Sequence, residues 1–187
     1  MRKSFKYRIE ANQQTIQQAE HWLDLCRNLY NNSLADRIQV YKTVKKTLSA
    51  NKQKKLLPFL KYQNPEYKQV NSQTLQDVIE RLDGAYKAFF RRVKNGEEPG
   101  FPRFKGKNRY DSFTLKESGW KLNGKYLTIR NIGTFKLRFS RPIKGDIKTV
   151  TIRKSSSGKW FASFSCDNVA DKPLTKTGKT IGIDVGL

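Results

Sequence analysis

Ser4-Phe5-Lys6-Tyr7-Arg8-Ile9-Glu10-Ala11-Asn12-Gln13-Gln14-Thr15-Ile16 changes its period half-way along. Phe5, Tyr7 and Ile9 alternate with Lys6, Arg8 and Glu10, the two-residue period of a half-buried strand. From Asn12 the apolar spacing becomes three and four. Ile16, Ala19, Trp22, Leu23, Cys26, Leu29, Tyr30 and Leu34 form one stripe that continues to Ile38 and Tyr41, which predicts an amphipathic helix. Asn12 stands where an N-cap belongs, since its short side chain can accept a free amide of the first turn.

Helical spacing then persists for most of the first half of the chain. The stretch Lys42–Lys61 carries seven lysines and no acid, and Pro58 and Pro65 are expected to break it into short pieces. A long helix follows, with Ser72 as its candidate cap. Leu75, Val78, Ile79, Leu82, Ala85, Tyr86, Phe89, Phe90 and Val93 form its apolar face, and Asn95-Gly96 supplies a left-handed C-terminal cap. After Gly96 the strand period returns. Phe113 and Leu115, Trp120 and Leu122, Leu127 and Ile129, then Phe135, Leu137 and Phe139 alternate with polar neighbours, with a hairpin turn at Asn123-Gly124. Val150 and Ile152 pair across Ser155–Gly158 with Trp160, Ala162, Phe164 and Cys166. One early strand, a helical excursion and then the remaining strands predict an α+β chain: a small antiparallel β-barrel interrupted by a helical-bundle insertion.

Lys and Arg number 38 against 16 acidic residues, so the formal net charge is 38 − 16 = +22 on 187 residues. Such a surplus implies an anionic partner, and nucleic acid is the strongest candidate because each neutralised phosphate releases condensed counterions. A membrane partner is not expected. Met1–Arg8 lacks the apolar core of a signal peptide, and no stretch approaches the roughly 20 apolar residues that span a bilayer. Cys26 and Cys166 fall on apolar faces without a Cys-x-x-Cys pair, so no zinc site is encoded and a reducing cytoplasm is expected. His21, between Glu20 and Trp22, reads as a boundary residue of its helix.

Two segments carry the candidate chemistry. Pro99–Arg109 sets Arg103, Lys105, Lys107 and Arg109 among Phe101, Phe104 and backbone-fixing Gly and Pro. Aromatic faces stack on unpaired bases while cations follow phosphates; the other reading is a loop whose phenylalanines anchor it. Arg91, Arg92 and Lys94 extend the same basic surface, although cations at a helix C-terminus are also favoured by the helix dipole. Gln73 and Gln76 flank the apolar stripe of the long helix and can reach adenine edges or serve as solvated surface. The second segment is Ile181-Gly182-Ile183-Asp184-Val185-Gly186-Leu187, a β-branched run that delivers one carboxylate to its end. That suits Mg²⁺, an oxygen-seeking ion. Asp-x-Gly after a strand is also an ordinary turn.

Four motifs in order carry a resemblance across essentially the whole chain. They are the Leu82-Asp83-Gly84-Ala85-Tyr86-Lys87-Ala88-Phe89-Phe90-Arg91-Arg92 helix, the Gly100-Phe101-Pro102-Arg103-Phe104-Lys105 loop, the Ser157-Gly158-Lys159-Trp160-Phe161-Ala162-Ser163 hairpin and the terminal Gly182-Ile183-Asp184-Val185-Gly186-Leu187. Together they resemble the N-terminal part of the TnpB (OrfB-type) family of insertion-sequence proteins, RNA-guided nucleases related to type V CRISPR effectors and long described as transposases. The resemblance implies a wedge-type barrel at 1–10 and 97–169 with the basic-aromatic connecting loop, a recognition bundle at 11–96, a linker at 170–179, and at 180–187 the first strand of an RNase H-like (RuvC) nuclease domain. It implies guide RNA and double-stranded target DNA as partners, placement with the prokaryotic nucleoid, and an incomplete catalytic, metal-binding site at Asp184. The family's other catalytic acids and its zinc-binding cysteines are expected beyond Leu187, so the chain reads as truncated and is expected to be inactive alone. The rival readings are a nuclease-dead RNA-guided DNA-binding repressor and a generic basic RNA-binding protein.

Overall fold

The computed structural model describes residues 1–170 together with 178, 180 and 182. Strand β1 (Lys3–Glu10) leads directly into the 32-residue helix α1 (Gln13–Val44). The side chain of Asn12 accepts the Thr15 amide at 2.9 Å, as its cap position predicts. Helices α2 (Ala50–Gln63) and α3 (Ser72–Lys94) follow, joined by a 3-10 turn at Pro65–Lys68. Among the described residues six strands follow: β2 (Ser112–Leu115), β3 (Trp120–Asn123), β4 (Tyr126–Ile129), β5 (Gly133–Arg138), β6 (Asp146–Lys154) and β7 (Trp160–Asp167).

The strands form one antiparallel sheet in the order β2-β6-β7-β1-β5-β4-β3. The first strand is therefore central. Phe5 stands opposite Phe164 of β7, and Ile9 opposite Leu137 of β5. Inward-facing Phe5, Tyr7, Phe113, Leu127, Phe135, Ile152 and Phe164 are all buried, so the alternation read in the sequence is the burial pattern of the sheet. Trp22 of α1 reaches into this core, 5.4 Å from the Phe113 ring. The N-terminus of α1 sits on β5 so closely that a Cβ on Gly133, whose φ is +136°, would meet Thr15 Oγ1.

Closure is partial, which corrects the expectation of a barrel. The two edge strands, β2 and β3, are consecutive in sequence and joined only by residues 116–119. A link that short reaches less than about 20 Å, whereas a flat seven-strand sheet would separate its edges by nearly 30 Å, so the sheet must curl. It curls into a half-barrel but does not close, because α3 occupies the edge. Thr74 donates to the Thr114 carbonyl at 2.9 Å and Arg81 to the Ser112 carbonyl at 2.8 Å, and these side chains cover the strand groups a neighbour would pair with.

Three helical expectations change as well. Helix α2 runs unbroken through Pro58, where the lost hydrogen bond costs about 3 kcal/mol in an isolated helix. Tertiary contacts outweigh that cost: Leu57 is buried, Gln53 is held by Arg37 at 2.7 Å, and Lys54 reaches Glu80 at 2.9 Å. The cap of α3 is Asn71, not Ser72; its side chain accepts the Gln73 amide, while Ser72 receives Lys61. The buried face of α3 ends at Leu82, and Phe90 and Val93 are half exposed, because the helix runs beyond the elements it packs against. Most of the linker at 170–179 and of the strand at 180–187, Asp184 included, lies outside the described residues.

Candidate nucleic-acid interface

The site begins at the end of α3. Gly96, at φ +68°, turns the chain out of the helix, with its amide on the Val93 carbonyl at 3.2 Å and the Glu97 amide on that of Arg92 at 3.0 Å. These are the two bonds of a Schellman cap, which the sequence Asn95-Gly96 had signalled. The cap holds Arg91, Arg92 and Lys94 at the negative end of the helix dipole, yet all three are exposed. Only Arg92 approaches an acid among the described residues, Glu97 at 3.9 Å.

Residues 97–111 then return along the bundle to β2. Asn31 of α1 fixes this loop by donating Nδ2 to the Lys105 carbonyl at 2.9 Å and accepting the Lys105 amide on Oδ1 at 2.8 Å. No periodicity or motif marks Asn31; only the tertiary structure places it against a segment 74 residues away. Lys105 lies over the Tyr30 ring at 5.7 Å, and Arg103, Lys107 and Arg109 project into solvent. Between α3 and the loop the aromatics gather. Phe101 meets Tyr86 at 5.6 Å and Phe89 at 5.4 Å, both edge-on, and Phe90 lies 6.3 Å from Tyr86.

The two phenylalanines differ in their contacts more than in their exposure. Phe101, 47% exposed, packs on two rings of α3 and anchors the loop. Phe104, 56% exposed, has no aromatic partner among the described residues. Arg91, Arg92, Lys94, Arg103, Lys105, Lys107 and Arg109 thus line the end of α3 and the loop that returns along the bundle from it, beside exposed ring surface. Arg37, 7% exposed, holds the helices beneath them: it donates to Gln53 of α2 and to Asp83 of α3 and lies 5.0 Å above the Tyr86 ring.

Gln73 and Gln76 are not part of this cluster. Gln76 lies about 22 Å from Arg91 along the helix at 1.5 Å per residue. It is exposed, whereas Gln73 is half buried and accepts the Ser118 hydroxyl at 3.4 Å. A second cationic surface went unread in the sequence. Lys6, Arg8, Lys136 and Arg138 project from the outer face of the sheet, the polar partners of buried positions. Arg8 and Arg138 are directly opposite, a like-charge pairing that Glu10 offsets at 3.6 and 2.6 Å. Both cysteines are buried, and burial pushes the Cys26 thiol up to about 12, far from reactive. His21 rests 3.8 Å from Glu66 at the helix boundary. Among the described residues no three His, Cys, Asp or Glu gather as a metal site, and no helix is long and apolar enough to cross a membrane.

Comparison with known proteins bears on the family. Residues 1–46 match the helix-turn-helix domain model of the IS605 OrfB type. A candidate RNA-guided DNA endonuclease of Escherichia coli (strain K12), InsQ, is 27% identical over 98% of this chain and 45% of its own length. A second candidate RNA-guided DNA endonuclease, from Streptomyces pristinaespiralis, is 24% identical over 100% of this chain and 46% of its own. Residues 1–46 thus resemble the OrfB-type domain, and the whole chain is similar to the RNA-guided DNA endonucleases. It spans a little under half the length of these relatives. A Cas12f1 structure, solved by cryo-electron microscopy with its guide RNA and target DNA, aligns over 91% of this chain and 49% of its own at 16% identity and a TM-score of 0.47. Over residues 1–46 this chain forms a strand and one uninterrupted helix to Val44, so no second helix is set across a tight turn there to act as a recognition helix.

Proposed function

We propose that this chain is the nucleic-acid-binding portion of a TnpB-type RNA-guided DNA endonuclease, holding guide RNA and target DNA. One observation carries the reading: a +22 chain leaves cations exposed at the end of α3 and along the connecting loop, interspersed with partly exposed aromatics. The descriptions of the E. coli and Streptomyces relatives, RNA-guided DNA endonucleases, supply the class of nucleic acid.

In this reading Arg91, Arg92, Lys94, Arg103, Lys107 and Arg109 neutralise phosphates, and Phe104 offers a face to an unpaired base. Gln76, at the other end of α3, meets a duplex groove, while Gln73 braces the connection between β2 and β3. The half-barrel corresponds to the wedge-type domain and the helices to the recognition bundle. Asp184 supplies one carboxylate of a magnesium-dependent nuclease site. The described residues do not build such a site, and no catalytic step is assigned to them.

A salt titration tests the proposal. Affinity for duplex DNA and for structured RNA falls linearly on a log–log plot, with a slope near −0.9 per phosphate contact on duplex DNA. Affinity independent of salt would overturn it.

A further inference from the structure

The seven lysines between Lys42 and Lys61 are indistinguishable in the sequence, and α2 sorts those it carries. Lys54 turns toward α3, 2.9 Å from Glu80, and Lys61 reaches the Ser72 hydroxyl at 2.7 Å. Both hold helices together. Lys52 and Lys55 point away and make no ion pair among the described residues. They share their face with Phe59 and Tyr62, since spacings of three, four and three place residues 52, 55, 59 and 62 on one stripe. The opposite stripe carries buried Gln53 and Leu57.

Phe59 is 55% exposed and Tyr62 79%, with Leu56 at 46% beside them. Neither ring contributes to the core. No acidic residue occurs from Val40 to Pro65, so the whole segment is complementary to an anion. Two cations followed along one helix by two uncovered ring faces match a polyanion whose flat faces are free, a requirement that stacked, paired bases do not meet.

We infer that the outer face of α2 binds single-stranded nucleic acid, with Phe59 and Tyr62 stacking on bases and Lys52 and Lys55 on the phosphates of the strand that continues toward the start of the helix. No side chain on this face is held in a fixed pattern of donors and acceptors, so the site reads neither sequence nor sugar. It rests on the nucleic-acid reading above but uses a different surface and a different form of nucleic acid.

Fluorescence anisotropy of the full chain with fluorescein-labelled oligo-thymidine, oligo-uridine and duplex DNA tests it. Replacing both rings with Leu keeps their apolar character and removes stacking. Single-strand affinity then falls at least about tenfold for both sugars, while duplex affinity and the melting temperature are unchanged. Phe59→Tyr with Tyr62→Phe retains binding, and Lys52→Gln with Lys55→Gln reduces the salt slope by about 0.7 per lost phosphate contact. Unchanged single-strand affinity in the Leu pair, with duplex binding intact, overturns this inference and leaves the proposed function standing. Altered self-association with unchanged affinity assigns the face to a second copy instead. A wild-type chain that binds no nucleic acid overturns both.

Discussion

At the scale of single residues, the connecting loop separates anchoring from binding. Phe101 rests edge-on against two rings, and such pairs contribute about 0.5–1.5 kcal/mol beyond the area they bury. Phe101→Ala is therefore expected to lower the melting temperature by a few degrees, at about 2–4 °C per kcal/mol for a chain of this size. Phe104→Ala leaves stability unchanged and weakens RNA binding. Calorimetry and a binding titration on both variants check this, and the reverse pattern would exchange their roles. Asn31→Ala removes both bonds to the Lys105 backbone, each contributing about 1 kcal/mol. It should destabilise the chain modestly and also weaken nucleic-acid binding. Replacing Arg103, Lys105 and Lys107 together with Ala weakens binding and lowers the melting temperature by no more than the contact of half-buried Lys105 with Tyr30 contributes, since the exposed charges of Arg103 and Lys107 add little to stability. If the Asn31 variant loses stability but binds normally per folded molecule, the loop's position does not matter to binding.

Elements meet at Glu80, which joins Lys54 of α2 at 2.9 Å and Lys116 of the β2–β3 connection at 2.8 Å. The hydrogen bonds from Lys116 and Lys54 hold its carboxyl below the usual glutamate range. A carboxyl whose pKa is lower folded than unfolded stabilises the fold above its unfolded value. That contribution is lost as pH falls through the folded one. Glu80→Gln is expected to cost about 1 kcal/mol or less at neutral pH, given the partial exposure of the group. It also flattens the acid limb of the stability curve, which urea denaturation from neutral pH down through the carboxylate range measures. Equal acid sensitivity in wild type and variant would show that the two lysines contribute nothing through Glu80. Arg81 works at the same scale: its bonds to Asp77 at 2.7 Å and to Ser112 at 2.8 Å decide that the sheet's edge faces a helix rather than another strand.

For the whole molecule the question is catalysis. In the proposed function Asp184 supplies one carboxylate, a two-metal phosphodiester site needs several oxygens, and the described residues gather no group of three His, Cys, Asp or Glu. Mg²⁺ surrenders its waters reluctantly, so a single carboxylate holds it weakly. This polypeptide alone, given guide RNA, target duplex and Mg²⁺, is expected to cut nothing, and Asp184→Ala to change neither RNA binding nor melting temperature. A gel-based cleavage assay decides it. Guide-dependent cleavage abolished by Asp184→Ala would mean that a partner chain completes the site.

The amino-acid sequence by itself determined whatever depends on near neighbours and on totals. The switch from period two to period three-and-four, the Asn12 cap, the Gly96 turn and the hairpin at Asn123-Gly124 follow from backbone chemistry within a few residues, and the +22 charge from a count. Much of the fold was legible on that basis, including a first strand that waits for partners over 120 residues away. The candidate site was legible only as composition. Which lysine turns inward, which phenylalanine anchors, and that Asn31 clasps Lys105 depend on how each helix is rotated about its axis. That rotation is set by packing against distant elements. Tertiary structure likewise kept α2 whole through Pro58 and left the half-barrel open, because contacts from α1 and α3 outweigh a local helix breaker and occupy the edge where a seventh, closing strand pairing would lie.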